Sequence, residues 1–382
     1  MKKHYEILED MILVVVNGYE LSEREQHLNV VNLPSLEKLA KEILPKDGFD
    51  FIRGGSEDEW TLRENTIAFN HTQILPHVLS NIGNPETKTS IFGLPLDTPI
   101  VMAPAAAQGV AHARGEVATA EGMAATGSLM TQSTYSSKLI AEAAEAGHGA
   151  PQFFQLYLSQ DDGLNKFLLD KAAVAGVKAI VITTDLTAAG YRESDVVNDF
   201  HFPVPMANLE DFRVGSGQSD VGVGHGKDVF DNEAHQIGVA DIKRVIDYTN
   251  LPVIIKGIKT PEDALLAINA GAQGIWVSNH GGRQLNGGPA SIDVLQSIAT
   301  AVNHQVPIIF DSGVRRGSHV FKALASGADL VALARPIIYG LALGGAQGVT
   351  DVVNHLNHEF KITMQLAGTK TIADVQQTSL VK

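Results

Sequence analysis

The chain has 382 residues, a formal charge of −14 and no cysteine. Its length suits two ordinary domains or one large α/β barrel with additions. The acidic balance argues against a nucleic-acid partner and against an anionic membrane surface, since neither attracts such a chain. The lack of cysteine excludes disulfides, iron–sulfur clusters and thiol chemistry, and it is compatible with the cytosol.

At the N-terminus, "MKKHYEILED" leads into the apolar run Met11–Val16. Acidic residues separate the basic start from that run, which is too short for the apolar core of a signal peptide. No apolar segment reaches the roughly 20 residues that span a bilayer. A soluble, cytoplasmic, globular protein is expected. Residues 1–97 read as an N-terminal extension with helix-like stretches such as "LPSLEKLAKEIL", expected to cap the bottom or side of a barrel formed by the rest of the chain.

From about residue 98 a rhythm sets in. Eight short apolar runs end in polar or glycine-rich turns: "PIVMAPAAA", "GSLMTQS", "PQFFQLYL", "AIVITTD", "PVIIKGI", "GIWVSNH", "PIIFDSG" and "LVALARP". Most are nearly continuous in apolar character, as strands buried on both faces should be. Amphipathic stretches such as "GEVATAEGMAATG", "DGLNKFLLDKAAVAG", "TPEDALLAINAG", "SIDVLQSIATAV" and "SHVFKALASGA" lie between them. Eight strand–helix units predict a (β/α)₈ barrel over 98–368, with a C-terminal tail over 369–382. A doubly wound sheet is the alternative. Residues 190–235, rich in Gly, Asp, Asn and Pro, separate the fourth strand from its helix and read as a lid, with disorder as the alternative.

Barrel chemistry collects at the C-terminal ends of the strands. There the chain offers Ala105, Ala106 and Ala107; Thr131, Ser133 and Tyr135; Gln155 and Tyr157; Thr183 and Asp185; Lys256; Ser278, His280 and Arg283; Asp311, Gly313 and Arg315; and Arg335. In "SNHGGRQL", His280 is a candidate general base. Asp185 could orient its ring, or could simply cap a helix. Arg283 and Arg192 resemble a carboxylate clamp, because a guanidinium forks onto two oxygens; a surface ion pair is the plainer reading of each. Tyr135 and Tyr157 could donate to substrate oxygens or merely pack. "DSGVRRGSHV" and "ALARPIIYG" suggest a phosphate site after the last two strands, where barrels often place one. Lys256 would lie beneath whatever that phosphate carries, since a buried lysine needs an anionic or electron-rich partner.

"MAPAAAQG", "KGI", "SNHGGRQL" and "FDSGVRRGSHVFKALASGADLVALARP" resemble the FMN-dependent L-α-hydroxy acid oxidising family. "GGSEDEWTLREN", "LTAAGYRESD" and "YGLALGG" are similar to its bacterial lactate-oxidising branch. The resemblance runs from about residue 45 to the C-terminus. It implies FMN across the barrel mouth. The phosphate would meet Asp311, Gly313, Arg315, Ala334 and Arg335. Gln155, Thr183, Ser278 and Ser133 would bond the ring edges, Pro104, Ala105 and Ala106 would line the ring face, and Lys256 would sit beside N1. It further implies a small L-2-hydroxy acid held by Arg192, Arg283, Tyr135 and Tyr157. His280 would take the hydroxyl proton, and O₂ would be reduced to H₂O₂. Hydride and carbanion routes need the same base and stay open. A homotetramer is the family expectation.

Three positions depart from the family pattern. Phe51 replaces the usual substrate-binding tyrosine, Ala334 replaces a glycine near the phosphate, and Gln108 replaces a histidine after the first strand. Phe200, Phe202 and Phe212 are aromatic candidates in the lid. Three rival readings stay open: a dehydrogenase with a non-oxygen acceptor, a flavin-binding module without turnover, and another FMN barrel such as an isomerase.

Overall fold

The computed structural model describes residues 13–16, 19–216 and 233–381. The N-terminal decapeptide and residues 217–232 of the expected lid lie outside the described residues. The eight apolar runs form β1 (Ile100–Met102), β2 (Met130–Ser133), β3 (Gln152–Leu156), β4 (Ala179–Thr183), β5 (Val253–Ile258), β6 (Gly274–Val277), β7 (Ile308–Phe310) and β8 (Leu330–Leu333). They close into one barrel. The parallel pairing of β8 with β1, Val331 on Ile100 and Leu333 on Met102, completes the circle and sets the doubly wound alternative aside.

Alternation along each strand explains the uninterrupted apolar runs. Val101, Phe153, Val181, Ile254, Trp276, Ile309 and Leu330 point inward and fill the barrel. Their neighbours Ile100, Phe154, Ile180, Ile255, Ile275, Phe310 and Val331 point outward into the helical ring. Both faces are dry at these positions, so they are apolar, and the buried polar residues of the strands, such as Gln155, Thr183 and Lys256, lie toward the strand ends. The ring includes the five expected helices, Gly115–Ala125, Asp162–Val174, Pro261–Asn269, Ser291–Val302 and Gly317–Ala325. Asp161 and Thr260 cap two of them by accepting from backbone N–H groups in the first turn. A last helix, Arg335–Ala367, starts directly after β8 and is broken at Gly344 and Gly345. Among the described residues no helix is long and apolar enough to cross a membrane.

The N-terminal extension divides its work, and here one expectation needs correction. A hairpin, Thr89–Ile91 with Leu94–Leu96, does close the barrel floor. Its Ile91 and Leu96 join the interior cluster, and Phe92 lies 6.1 Å from Phe153. The helix Lys46–Arg53 and the turn after it instead reach the opposite end. The Ser56 N–H donates to the Gly282 carbonyl at 2.9 Å and Glu57 N–H to that of Tyr191 at 2.7 Å. The physical reason is the barrel's store of buried cations at the mouth, which need the carbonyls that residues 51–54 provide.

The described part of the lid segment before residue 217 is helical rather than a plain loop. Helices Glu193–Val197 and Ala207–Ser216 fall within it. The second is fastened to the helix Asp162–Val174, with Phe212 at 5.2 Å from Phe167 and Lys171 at 2.8 Å from Asp211.

Candidate active site

The barrel's top layer is polar. Lys256 Nζ, on β5, donates to Ser278 Oγ at 3.0 Å and lies 3.8 Å from Asp311. Asp311 accepts from Trp276 Nε1 at 2.9 Å, from Ser278 Oγ at 2.7 Å and from Ser312 Oγ at 2.7 Å. The lysine and aspartate are nearly inaccessible to water, and such a buried pair depends on the hydrogen bonds around it.

Each residue of "SNHGGRQL" has its own task. Asn279 and Asn65 exchange amide hydrogen bonds at 2.7 and 2.9 Å, which ties the motif to the N-terminal extension. His280 adopts a left-handed backbone (φ +59), a strained state for a side chain with a Cβ. Ser278 Oγ steadies it by accepting from the His280 N–H at 3.0 Å. Gly281 and Gly282 continue at positive φ, and a Cβ on Gly282 would stand 2.6 Å from Leu62 backbone. Only glycine serves there. Gln284 Nε2 then donates to the carbonyls of Asp185 and Ala188, at 2.9 and 3.0 Å, locking the turn after β4 to the motif.

The imidazole is held at both ends. Its Nδ1 lies 2.9 Å from Asp185 Oδ1, and its Nε2 lies 3.3 Å from the Tyr157 hydroxyl. Burial, with Lys256 and Arg192 nearby, pulls the His280 imidazole below its ordinary value, while Asp185 opposes the fall. Burial acts to raise Asp185, but His280, Lys256 and Lys259 outweigh it and hold the carboxyl at about 2. The ring is therefore neutral near neutral pH, with an ionised partner behind it. Asp185 caps no helix. It reaches His280 across β5 because β5 bulges at Gly257, where φ is +106 and a Cβ would stand 2.8 Å from Asp185.

Two guanidiniums flank this pair. Arg283 donates from Nη1 to the carbonyls of Phe51 and Gly54, at 2.7 and 2.8 Å, and stands 5.0 Å over the Phe51 ring. Burial, then repulsion from Arg192 and Arg335, push its guanidinium well below the ordinary value. Such a group gains from an anion. Arg192 is 8% exposed and lies 3.7 Å from Asp195, a carboxylate that the sequence did not single out. Phe51 stacks on Phe200 at 4.6 Å and meets Phe202 edge-on at 5.0 Å. These two aromatics thus join the mouth, whereas Phe212 packs outside it.

Tyr135 departs from expectation. Its hydroxyl donates to Glu233 Oε1 at 2.6 Å, not into open space, and its ring stacks on Tyr157 at 4.9 Å. Glu233 lies at the end of the expected lid by sequence and gave no motif signal.

A cavity of about 1080 Å³, counted with the solvent space at its open mouth, runs past these groups. Phe51, Pro104, Ala105, Ala106, Tyr135, Tyr157, Arg192, Lys256, His280 and Arg283 line it, as do Asp311, Gly313, Arg315, Ala334 and Arg335. Ser133, Gln155, Thr183, Ser278 and Asp185 lie one layer behind. Gln155 Nε2 and Thr183 Oγ1 are buried without a hydrogen-bond partner, an arrangement that suits a polar ligand. Gln108 Oε1 accepts from the Thr119 hydroxyl at 2.6 Å, while its buried Nε2 also has no partner. Arg335 spans the carbonyls of Ile52, Gly54 and Gly281. Ala334 has a negative φ of −117, so no left-handed backbone requires a glycine there. Gly257→Ala is expected to destabilise the protein by about 1–3 kcal/mol; an unchanged melting temperature would count against the crowding described.

The sequence profile of the FMN-dependent dehydrogenase family matches residues 40–382. An L-lactate oxidase of Lentilactobacillus hilgardii is 62% identical over 97% of this chain and 99% of its own length. A peroxisomal (S)-2-hydroxyacid oxidase of Arabidopsis thaliana is 42% identical over 91% of this chain and 95% of its own. The crystal structure of a Pediococcus acidilactici protein assigned as a lactate oxidase superposes with a TM-score of 0.92 at 63% identity, covering 96% of this chain and 99% of that one. A mandelate oxidase structure gives 0.84 at 34% identity over 92% and 99%. With motif, barrel and site in agreement, the chain belongs to the FMN-dependent dehydrogenase family, among its L-2-hydroxy acid oxidases.

Proposed function

We propose that the protein oxidises a small L-2-hydroxy acid, L-lactate to pyruvate in the simplest case, with FMN as cofactor and O₂ as acceptor. The observation that carries this reading is a half-buried imidazole, backed by Asp185 at 2.9 Å and flanked by two guanidiniums in one cavity.

The residues present fit the cofactor. Gln155 Nε2 and Thr183 Oγ1 are buried donors without protein partners that would bond polar edges of the ring, with Ser133 and Ser278 beside them. Pro104, Ala105 and Ala106 offer a flat wall of small side chains to its face. Lys256 would stabilise negative charge gained on reduction. Arg315, Arg335 and the backbone at Gly313 and Ala334 would hold the phosphate. Asp311, an anion already bonded to Trp276 and Ser278, suits hydroxyl groups better than phosphate. Bound FMN supplies the two-electron acceptor, and the electrons pass on to O₂ to give H₂O₂.

The chain's own part is recognition and proton transfer. Arg283 and Arg192 would hold the substrate carboxylate with charge-assisted bonds. His280 Nε2 would accept the hydroxyl proton as the carbon-bound hydrogen leaves. Asp185 keeps the other ring proton on Nδ1 and stabilises the imidazolium that forms. Tyr157 would donate to a substrate oxygen, as would Tyr135 whenever Glu233 does not hold its proton. Residues 51–54 complete the mouth, so the chain works as one domain.

Asp185→Asn removes the influence that raises His280. The acidic limb of kcat/KM is therefore expected to move to lower pH while kcat falls by roughly 10²-fold or more; a limb moving to higher pH would contradict this. Phe51 cannot donate to a carboxylate, and a lost bond of that kind costs about 1.5–3 kcal/mol. Phe51→Tyr is accordingly expected to lower the KM for L-lactate by about tenfold, and an unchanged or higher value would speak against it. The aromatic group Phe51, Phe200 and Phe202 favours an apolar substrate side chain. A cytoplasmic homotetramer is proposed from the family resemblance, and light scattering that returned the mass of one chain would overturn the assembly.

A further inference from the structure

Glu233 has no role in the proton transfer at His280, yet its carboxyl bonds to Tyr135, which lines the same chamber. Its backbone is fastened beyond β3. Glu233 bridges Ser159 in antiparallel fashion, the Ala234 N–H donates to the Leu158 carbonyl at 2.7 Å, and Gln160 Nε2 donates to the Glu233 carbonyl at 3.0 Å. These restraints aim the side chain inward, where the residue is 5% exposed and Oε1 lies 2.6 Å from the Tyr135 hydroxyl. The Tyr135 ring stacks on Tyr157, whose hydroxyl faces His280 Nε2.

A phenol carries one proton, an ionised carboxylate only accepts, and a protonated carboxyl donates. An ionised Glu233 buried here therefore captures the Tyr135 proton, because a buried carboxylate left without a donor is costly. A protonated Glu233 donates to Tyr135 Oη instead, and the phenol proton turns to another acceptor. We propose that Glu233 is a positioning residue whose protonation decides whether Tyr135 donates to the substrate. The inference rests on the reading that Tyr135 faces the substrate.

The described charged and titratable groups around Glu233 are Tyr135 after β2, Tyr157 after β3 and Arg192 after β4. Burial drives the carboxyl up to about 8, against the Tyr135 bond and the Arg192 charge. Below that value Glu233 is neutral and Tyr135 donates outward. Above it the donor is withdrawn, so substrate affinity falls as pH rises. His280, held below its ordinary value, governs the acidic limb. The two limbs thus belong to different residues.

The test is calorimetric titration of the oxidised holoenzyme with pyruvate from about pH 6 to about pH 10, beside kcat and KM for L-lactate over the same range. In the wild type, affinity for pyruvate is expected to weaken by roughly tenfold across the alkaline limb, with the change in KM rather than kcat. Glu233→Gln, nearly isosteric and unable to ionise, should lose that limb and keep the acidic one. An alkaline limb that persists in Glu233→Gln overturns the proposal, as does its absence from the wild type, which needs no variant to fold. Tyr135→Phe separates the two levels of inference. Weakened pyruvate binding near neutral pH, without the limb, supports the proposal; unchanged binding would show that Tyr135 does not face the substrate at all.

Discussion

The 2.9 Å contact between His280 and Asp185 spans a strand. The histidine comes after β6 and the aspartate after β4, so β5 runs between them. The pair can meet only because β5 bulges at Gly257 and presents no side chain at the crossing. This juxtaposition sets the rest. It buries a carboxylate that needs a neighbouring cation, and Lys256, one residue before the bulge, is among the groups that keep Asp185 ionised. It holds His280 in a left-handed backbone, which the Asn279–Asn65 clasp and the paired glycines then support. A bulge in one strand is in this sense the condition for the proposed base.

The mouth collects positive charge inside an acidic protein. Arg283, Arg315 and Arg335 are all held below their ordinary values by burial. Carboxylates at hydrogen-bonding distance would cancel that charge. The structure instead gives Arg283 and Arg335 the carbonyls of residues 51–54, with the Gly54 oxygen shared by both. Neutral acceptors fix the side chains without spending the field they create, so an incoming anion meets cations already oriented. This is why the N-terminal extension travels to the mouth. The destination was not legible in "GFDFIRGGS", because backbone carbonyls have no sequence signature.

The legible parts obey the same logic. The eight strands could be read because burial on both faces imposes a continuous apolar pattern that no turn shares. The cavity residues could be read because barrel geometry gathers strand ends. Gly257 escaped notice, since one glycine in "KGI" does not declare which side chain it makes room for. Asp195 lies in a segment whose polar composition hides two helices. Glu233 was beyond reach: its partner Tyr135 is 98 positions away, and one glutamate beside a Gly- and Asp-rich stretch looks like solvated surface.

Phe51, Glu233 and the arginines together describe a shift in how the carboxylate is recognised. Position 51 holds a phenylalanine, which has no hydroxyl to donate, and its ring supports Arg283 by a cation–π contact and stacks in an aromatic group. At position 135 the phenol is present but bonded to Glu233. Neutral hydroxyl donors are thus fewer or conditional, and on the proposed reading recognition would fall chiefly to the two guanidiniums, whose planar forks match a carboxylate. A site of this kind binds its substrate through charge first and adjusts its grip through a single hydroxyl. The carboxylate, common to every 2-hydroxy acid, supplies the constant part of affinity. On the proposed reading, Phe51 on the cavity wall, backed by Phe200 and Phe202, would supply the part that varies with the side chain, so selectivity among 2-hydroxy acids would follow packing.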